Sequence, residues 1–155
     1  MTTIVVGVDF SPVTDGVVRA ARELASRLNG HVWLLHVAAP DPEFVGYEAG
    51  PDTVRDAQAR HYREEHRRLN ELGQEFANSG LAVTSLLVQG ATAEKILEHA
   101  QRLKAGYILL GASSRGVVGE LFMGSVCRSV VQGATCPVAV VPAGFAVATD
   151  PVLSG

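Results

Sequence analysis

The sequence predicts a three-layer α/β protein: a five-stranded parallel sheet of order 3-2-1-4-5 with helices packed on both faces. Two observations lead there. Short, β-branched apolar runs alternate with stretches of helical periodicity in the order βαβαβαβαβ, which requires right-handed crossovers into a parallel sheet. The runs are apolar at successive positions and not at alternate ones, as strands covered on both faces are. A chain of 155 residues is about one domain long, so residues 1–155 are read as a single domain.

The first strand is Ile4-Val5-Val6-Gly7-Val8. Ser11 followed by Pro12 reads as a helix start, with serine as N-cap and proline at the first helical position. Val17, Ala21, Leu24 and Leu28 recur at helical spacing, and Asn29-Gly30 stops that helix. Val32 to Val37 is the second strand, and Ala38 to Asp52, with three prolines and two glycines, is a loop. A long helix runs from Thr53 to about Ser79, bearing Val54, Leu69, Leu72 and Phe76, with Gly80 at its end. The third strand is Ala82 to Val88. Ala93, Ile96, Leu97, Ala100 and Leu103 mark the next helix, which stops at Gly106. Tyr107 to Leu110 is the fourth strand, and a Gly/Ser-rich loop spans Gly111 to Gly124. Val126, Val130 and Val131 mark the last helix, Val138 to Val141 the fifth strand, and residues from Ala143 onward a frayed tail.

In the order 3-2-1-4-5 the chain reverses across the sheet between strands 1 and 4. Ligands of such sheets bind outside the carboxyl ends of the strands at that reversal. There Asp9 faces the Gly111 loop. The loop holds four glycines and, counting Ser125, three serines between a buried strand and a helix. Small residues let backbone N–H groups approach an anion, the helix opening at Ser125 adds its positive dipole end, and Arg115 offers a charge-assisted hydrogen bond. The competing reading is a flexible connection; its length favours function, since strand-to-helix connections usually take about 2–6 residues. Two common nucleotide motifs are excluded. Gly111 and Gly116 have the Walker A spacing, but Val117 and Val118 stand where Lys and Ser/Thr must be. No G-x-G-x-x-G follows the first strand.

Composition narrows the partners. With 47% hydrophobic and 19% charged residues the chain is no disordered segment. Its net charge of −3 is the wrong sign for general nucleic-acid binding. No apolar run approaches the length of a membrane helix. Two cysteines and no secretory signal imply reduced thiols in the cytoplasm.

The whole chain, from about residue 3 to 142, resembles the universal stress protein family, specifically its ATP-binding branch. The resemblance lies in Val8-Asp9-Phe10-Ser11, Leu35-His36-Val37, the Gly111 loop, Gly124-Ser125-Val126 and Cys136-Pro137-Val138. The family's ATP signature is Gly, two residues, Gly, nine residues, then Gly with Ser or Thr. Gly111, Gly124 and Ser125 match it; the middle position is Ser114, with Gly116 and Gly119 nearby but out of register. The resemblance implies an adenine-nucleotide α-hydrolase-like fold and ATP as ligand, with Mg²⁺. Asp9 would contact the ribose or adenine side and the Val37 backbone the adenine edge. Gly111, Ser114, Gly124, Ser125 and Val126 would line the phosphates. It also implies a homodimer through the edge strand Pro137–Pro142, an apolar edge that pairing would protect.

Other candidates are weaker. Asp9 also reads as a carboxylate at a helix N-terminus. His61 and His66 are five apart, off one helix face, and no metal cluster is expected. His36 and His99 read as partly buried histidines with backbone partners. Cys127 follows the loop, where a dipole would lower its pKa, but a small core residue is the simpler reading. Arg55 to Arg68 holds five arginines, with Asp56–Arg60 and Glu64–Arg68 as i,i+4 pairs on a solvated face. No catalytic residue can be named. Three functions stay open: an ATP-dependent regulatory module, a slow ATPase or nucleotidyl transferase, and an interaction protein that binds no nucleotide.

Overall fold

The computed structural model describes residues 1–38, 52–112 and 124–145. Five parallel strands form one sheet: β1 (Thr3–Gly7), β2 (His31–Ala38), β3 (Ala82–Gln89), β4 (Tyr107–Gly111) and β5 (Val138–Val141). Their order is β3-β2-β1-β4-β5, as the alternation predicts. Four helices connect them: α1 (Thr14–Leu28), α2 (Asp52–Asn78), α3 (Thr92–Arg102) and α4 (Ser125–Gly133).

Successive residues of the central strands point into two separate cores. Ile4, Val6, Leu34 and Leu109 pack with Val17, Ala21, Leu69 and Phe76 beneath α1 and α2. Val5, Leu35, Ile108 and Leu110 pack with Ile96, Ala100, Cys127 and Val130 beneath α3 and α4. This is why the strands lack polar alternation. Register places Val5 opposite Trp33 on one side and Ile108 on the other, so β1 lies at the centre of the sheet. Among the described residues β5 pairs only with β4 and forms one edge.

Strand boundaries match the sequence reading within a residue or two, with three differences that matter. Gly111 is the last residue of β4, opposite Val141, and the chain stays bonded one residue further through Ala112 N–H to Val141 O at 2.8 Å. The first helix begins at Thr14, not after Ser11. The tail does not fray at Ala143: the Phe145 N–H donates to Pro142 O and its carbonyl accepts from Arg19 Nη2, both at 3.0 Å, while its ring packs on the α1 side of the core. The remaining tail, from residue 146, lies outside the described residues. As expected, Asn29 stops α1, taking the left-handed conformation at φ 49°.

Candidate functional site

The carboxyl end of β1 turns sharply. The Val8 N–H donates to Leu35 O at 2.9 Å, and then Phe10 adopts φ 56°, a left-handed backbone that costs a non-glycine residue about 1–2 kcal/mol. Asp9 Oδ1 accepts from the Ser11 N–H at 3.0 Å and from the Thr14 hydroxyl at 3.4 Å. This bond, two residues forward, is an aspartate turn, and it displaces the expected Ser11 cap. Ser11 and Pro12 therefore form the turn and α1 starts three residues after the serine, its Thr14 N–H on Ser11 O. Asp9 thus has the helix-terminal role that the sequence allowed, with its second oxygen free of either bond.

Behind the turn lies His36, only 6% exposed. Its Nδ1 is 2.6 Å from Val8 O; a carbonyl only accepts, so Nδ1 carries the proton. The Phe10 ring rests on the imidazole with centroids 4.7 Å apart, and the Arg68 guanidinium covers Phe10 at 4.5 Å. His36 Nε2 is 3.2 Å from Glu65 Oε2, an ion-pair distance without hydrogen-bond alignment. Both histidines expected to find backbone partners do so; His99 Nδ1 lies 2.8 Å from Lys95 O.

Between the ends of β1, β2 and β4 and the start of α4 is a cavity of about 330 Å³. Of the residues nominated from the sequence, Asp9, Val37, Gly111, Gly124, Ser125 and Val126 all line it. Ser114 and Arg115 lie outside the described residues. Sequence reasoning missed the apolar wall, Leu35, Ile96 and Leu110, and Thr92 at the start of α3. The helical period marks Ile96 as buried but cannot say that its outer end faces a cavity.

A Cβ on Gly111 would run into Val13 and lie 3.0 Å from Val17 Cγ2, so this glycine admits α1 against β4 on the face away from the cavity. Gly124, the N-cap of α4, has φ −58° and needs no glycine for its backbone. Among the described residues no side chain caps that helix, and the first intrahelical donor to find an acceptor is the Arg128 N–H, on Gly124 O. Among the described residues, the N–H groups of Ser125, Val126 and Cys127 have no partner, which leaves an anion-favouring end at the cavity. The Cys127 thiol is buried and donates to Gly111 O at 3.4 Å; burial, then the Asp9 charge, raise its pKa. The core reading of Cys127 holds, and the dipole does not prevail.

Elsewhere the charged face of α2 is solvated but paired differently. Glu64 bonds Arg67, which holds its carboxyl below the ordinary range, and Arg67 also reaches Glu71. Arg68 goes to Phe10 instead of Glu64. Arg60 Nε donates to the Asp56 backbone carbonyl. His61 pairs with Glu65 at 3.0 Å and not with His66. No group of three metal-ligating side chains occurs among the described residues, and no described helix is long and apolar enough to cross a membrane.

Fold and cavity together define a doubly wound α/β protein with a ligand-sized space at its switch point. The chain matches the universal stress protein family over residues 1–142 and belongs to it. It is 31% identical to a universal stress protein of Thermus aquaticus, covering 90% of this chain and 97% of that one. Against the universal stress protein MJ0531 of Methanocaldococcus jannaschii the identity is 26%, over 89% and 80% of the two chains. The fold is shared with a universal stress protein of Archaeoglobus fulgidus solved with dAMP (TM-score 0.63, 22% identity, 91% and 98% of the chains). It is shared also with a universal stress protein solved with cAMP (TM-score 0.64, 20% identity, 92% and 97%).

Proposed function

We propose that this protein binds ATP, as its Mg²⁺ complex, in the cavity at the β1–β4 reversal, and that occupancy modulates its association with itself or with a partner. One observation carries the reading: a 330 Å³ cavity has Asp9 at one part of its wall and, at another, the start of α4, whose first N–H groups have no partner among the described residues. A nucleotide presents hydroxyl donors at one end and phosphate anions at the other. Asp9 accepts from ribose hydroxyls with the oxygen it does not spend on Ser11 and Thr14. Leu35, Ile96 and Leu110 give an apolar wall for the base, and Val37 brings strand backbone to it. The α4 N–H groups receive phosphate oxygens. Relatives solved with dAMP and cAMP support the adenine-nucleotide class.

Mg²⁺ fits this site as a passenger of the triphosphate. It takes phosphate and water oxygens with one or two protein ligands, needs no dedicated cage, and neutralises phosphate charge when bound. Among the described residues, Asp9, Thr92 and Ser125 are the oxygen-bearing side chains of the cavity wall, and Asp9 and Ser125 would be the ones to approach it. A homodimer through β5 completes the proposal. Val138 and Val140 are half-buried on an edge with no partner strand among the described residues, and pairing would remove that hazard.

The test is chemical. Protein passed through gel filtration is denatured and its released nucleotide identified by chromatography, and ATP–Mg²⁺ is titrated into stripped protein by calorimetry. Gly124→Val sets a branched side chain at the α4 entrance in a backbone conformation that valine tolerates. It should abolish binding and leave the melting temperature in place. A wild type that takes up no ATP at millimolar concentration (on the order of −4 kcal/mol) would leave the interaction-only alternative standing.

A further inference from the structure

We infer that His36 is a positioning residue for the nucleotide site, acting through the backbone of the β1–α1 turn and never touching the ligand. The inference rests on the nucleotide reading above but adds a part to it. Asp9 sits between two residues that His36 holds. On one side the Nδ1–H bonds Val8 O at 2.6 Å; on the other the imidazole supports the ring of Phe10, whose φ of 56° aryl side chains rarely adopt. A left-handed residue persists only where its surroundings over-determine it, and such strain gathers at sites that must be preorganised. Here the over-determination is visible: the imidazole and the Arg68 guanidinium both lie against the Phe10 ring, and the Ser11 and Thr14 donors hold Asp9 just beside it.

His36 is itself held from outside. Glu65 of α2, its side chain 15% exposed, places one oxygen 3.2 Å from His36 Nε2 and the other 3.0 Å from His61. Strand β2, helix α2 and the β1–α1 turn therefore meet at one imidazole. His36 is absent from the cavity wall, whereas Asp9 is part of it. A residue of this kind sets where the carboxylate stands before the ligand arrives, which lowers the ordering cost of binding.

The test compares two substitutions at one position. His36→Asn keeps an N–H where Nδ1 was, so it can still donate to Val8 O; His36→Leu fills the space and removes the donor. ATP–Mg²⁺ calorimetry should place His36→Asn within about threefold of wild type and His36→Leu at least tenfold weaker. Amide exchange at Ser11, whose N–H sits on Asp9, should be protected in wild type and His36→Asn and accelerated in His36→Leu. A third variant, Phe10→Gly, guards against a His36→Leu chain that does not fold: glycine accepts φ 56° freely, yet the turn loses its clamp, so Ser11 exchange should rise there too. Wild-type affinity in a folded His36→Leu, or equal weakness in His36→Asn and His36→Leu, would overturn the inference. Should wild type itself bind no ATP, the nucleotide reading fails, and Ser11 exchange decides the positioning alone. Unchanged protection in His36→Leu and Phe10→Gly would then sink it.

Discussion

Gly111→Ala separates two reasons for a glycine at the end of β4. If Gly111 serves phosphate approach, alanine should weaken ATP binding and spare stability. The backbone geometry argues for packing. An added Cβ would strike Val13 Cγ1 and stand 3.0 Å from Val17 Cγ2 and 3.2 Å from Val13 Cγ2. Val13 is 5% exposed and Val17 2%, so neither side chain has solvent to move into. The methyl therefore has to push α1 off the sheet or force a rotamer change, an overpacking cost of about 1–3 kcal/mol. At ~2–4 °C per kcal/mol for a domain of this size, the melting temperature should drop by about 2–12 °C. Scanning calorimetry on Gly111→Ala, Val13→Ala and the double variant gives the cycle. Removing the Val13 methyls makes room for the new one, so the double should be less destabilised than the sum, with coupling of about 0.5–3 kcal/mol. A melting temperature that stays put while ATP affinity falls would refute the packing argument and return Gly111 to the ligand.

Asp9→Ala should weaken ATP binding by about 1–3 kcal/mol in calorimetry and also cost stability, because the Ser11 and Thr14 donors lose their acceptor. Asp9→Asn, which retains a carbonyl oxygen for the turn, should recover the stability. Ser114→Gly should shift ATP affinity by no more than about tenfold, since one hydrogen bond to a charged acceptor and the cost of a non-glycine residue at positive φ are similar in size. The raised pKa of Cys127 has a signed consequence. The folded thiol keeps its proton where the unfolded one has lost it, so its contribution is complete below the unfolded pKa, about 8.5, and declines as pH rises above that. Wild type should therefore lose more stability between pH 8 and 10 than Cys127→Ser; equal losses in thermal melts would show that the thiol does not titrate against folding. Light scattering at tens of micromolar, roughly the range for a weak dimer, should report twice the monomer mass, and Ala139→Lys on the exposed β5 edge should reduce it to one.

What the sequence disclosed follows from where the information resides. Strand and helix positions depend on local periodicity, and Ile4 to Val8 or Val138 to Val141 could be placed from a few residues each. The cavity wall at Asp9 and Ser125 was legible because topology alone brings those strand and helix ends together. The α1 start was not, because Ser11-Pro12 carries a strong local cap signal that loses to the Asp9 carboxylate two residues before the serine. The role of Gly111 depends on Val13 and Val17, nearly a hundred residues away, and that of His36 on Glu65 across a crossover. Arg68 was assigned to Glu64 by spacing, yet the helix face that it occupies turns toward Phe10. The α1 start is decided by one local bond against another, and the other misses are tertiary contacts overriding a local preference.

The adjacency of β1 and β4 at the centre of the sheet also orders events during biosynthesis. Residues through Ala38 can pair β1 with β2 as soon as they leave the ribosome, but β4 and the start of α4 supply the opposite wall. At about 5–20 residues per second, β1 waits on the order of ten seconds for its second neighbour. During that interval α1 can cover one face of β1, but its other face and one edge stay open, the kind of surface that seeds misassembly. The cavity is thus among the last parts of the molecule to exist, and a nascent chain halted before α4 has four of the five strands but an unfinished cavity wall.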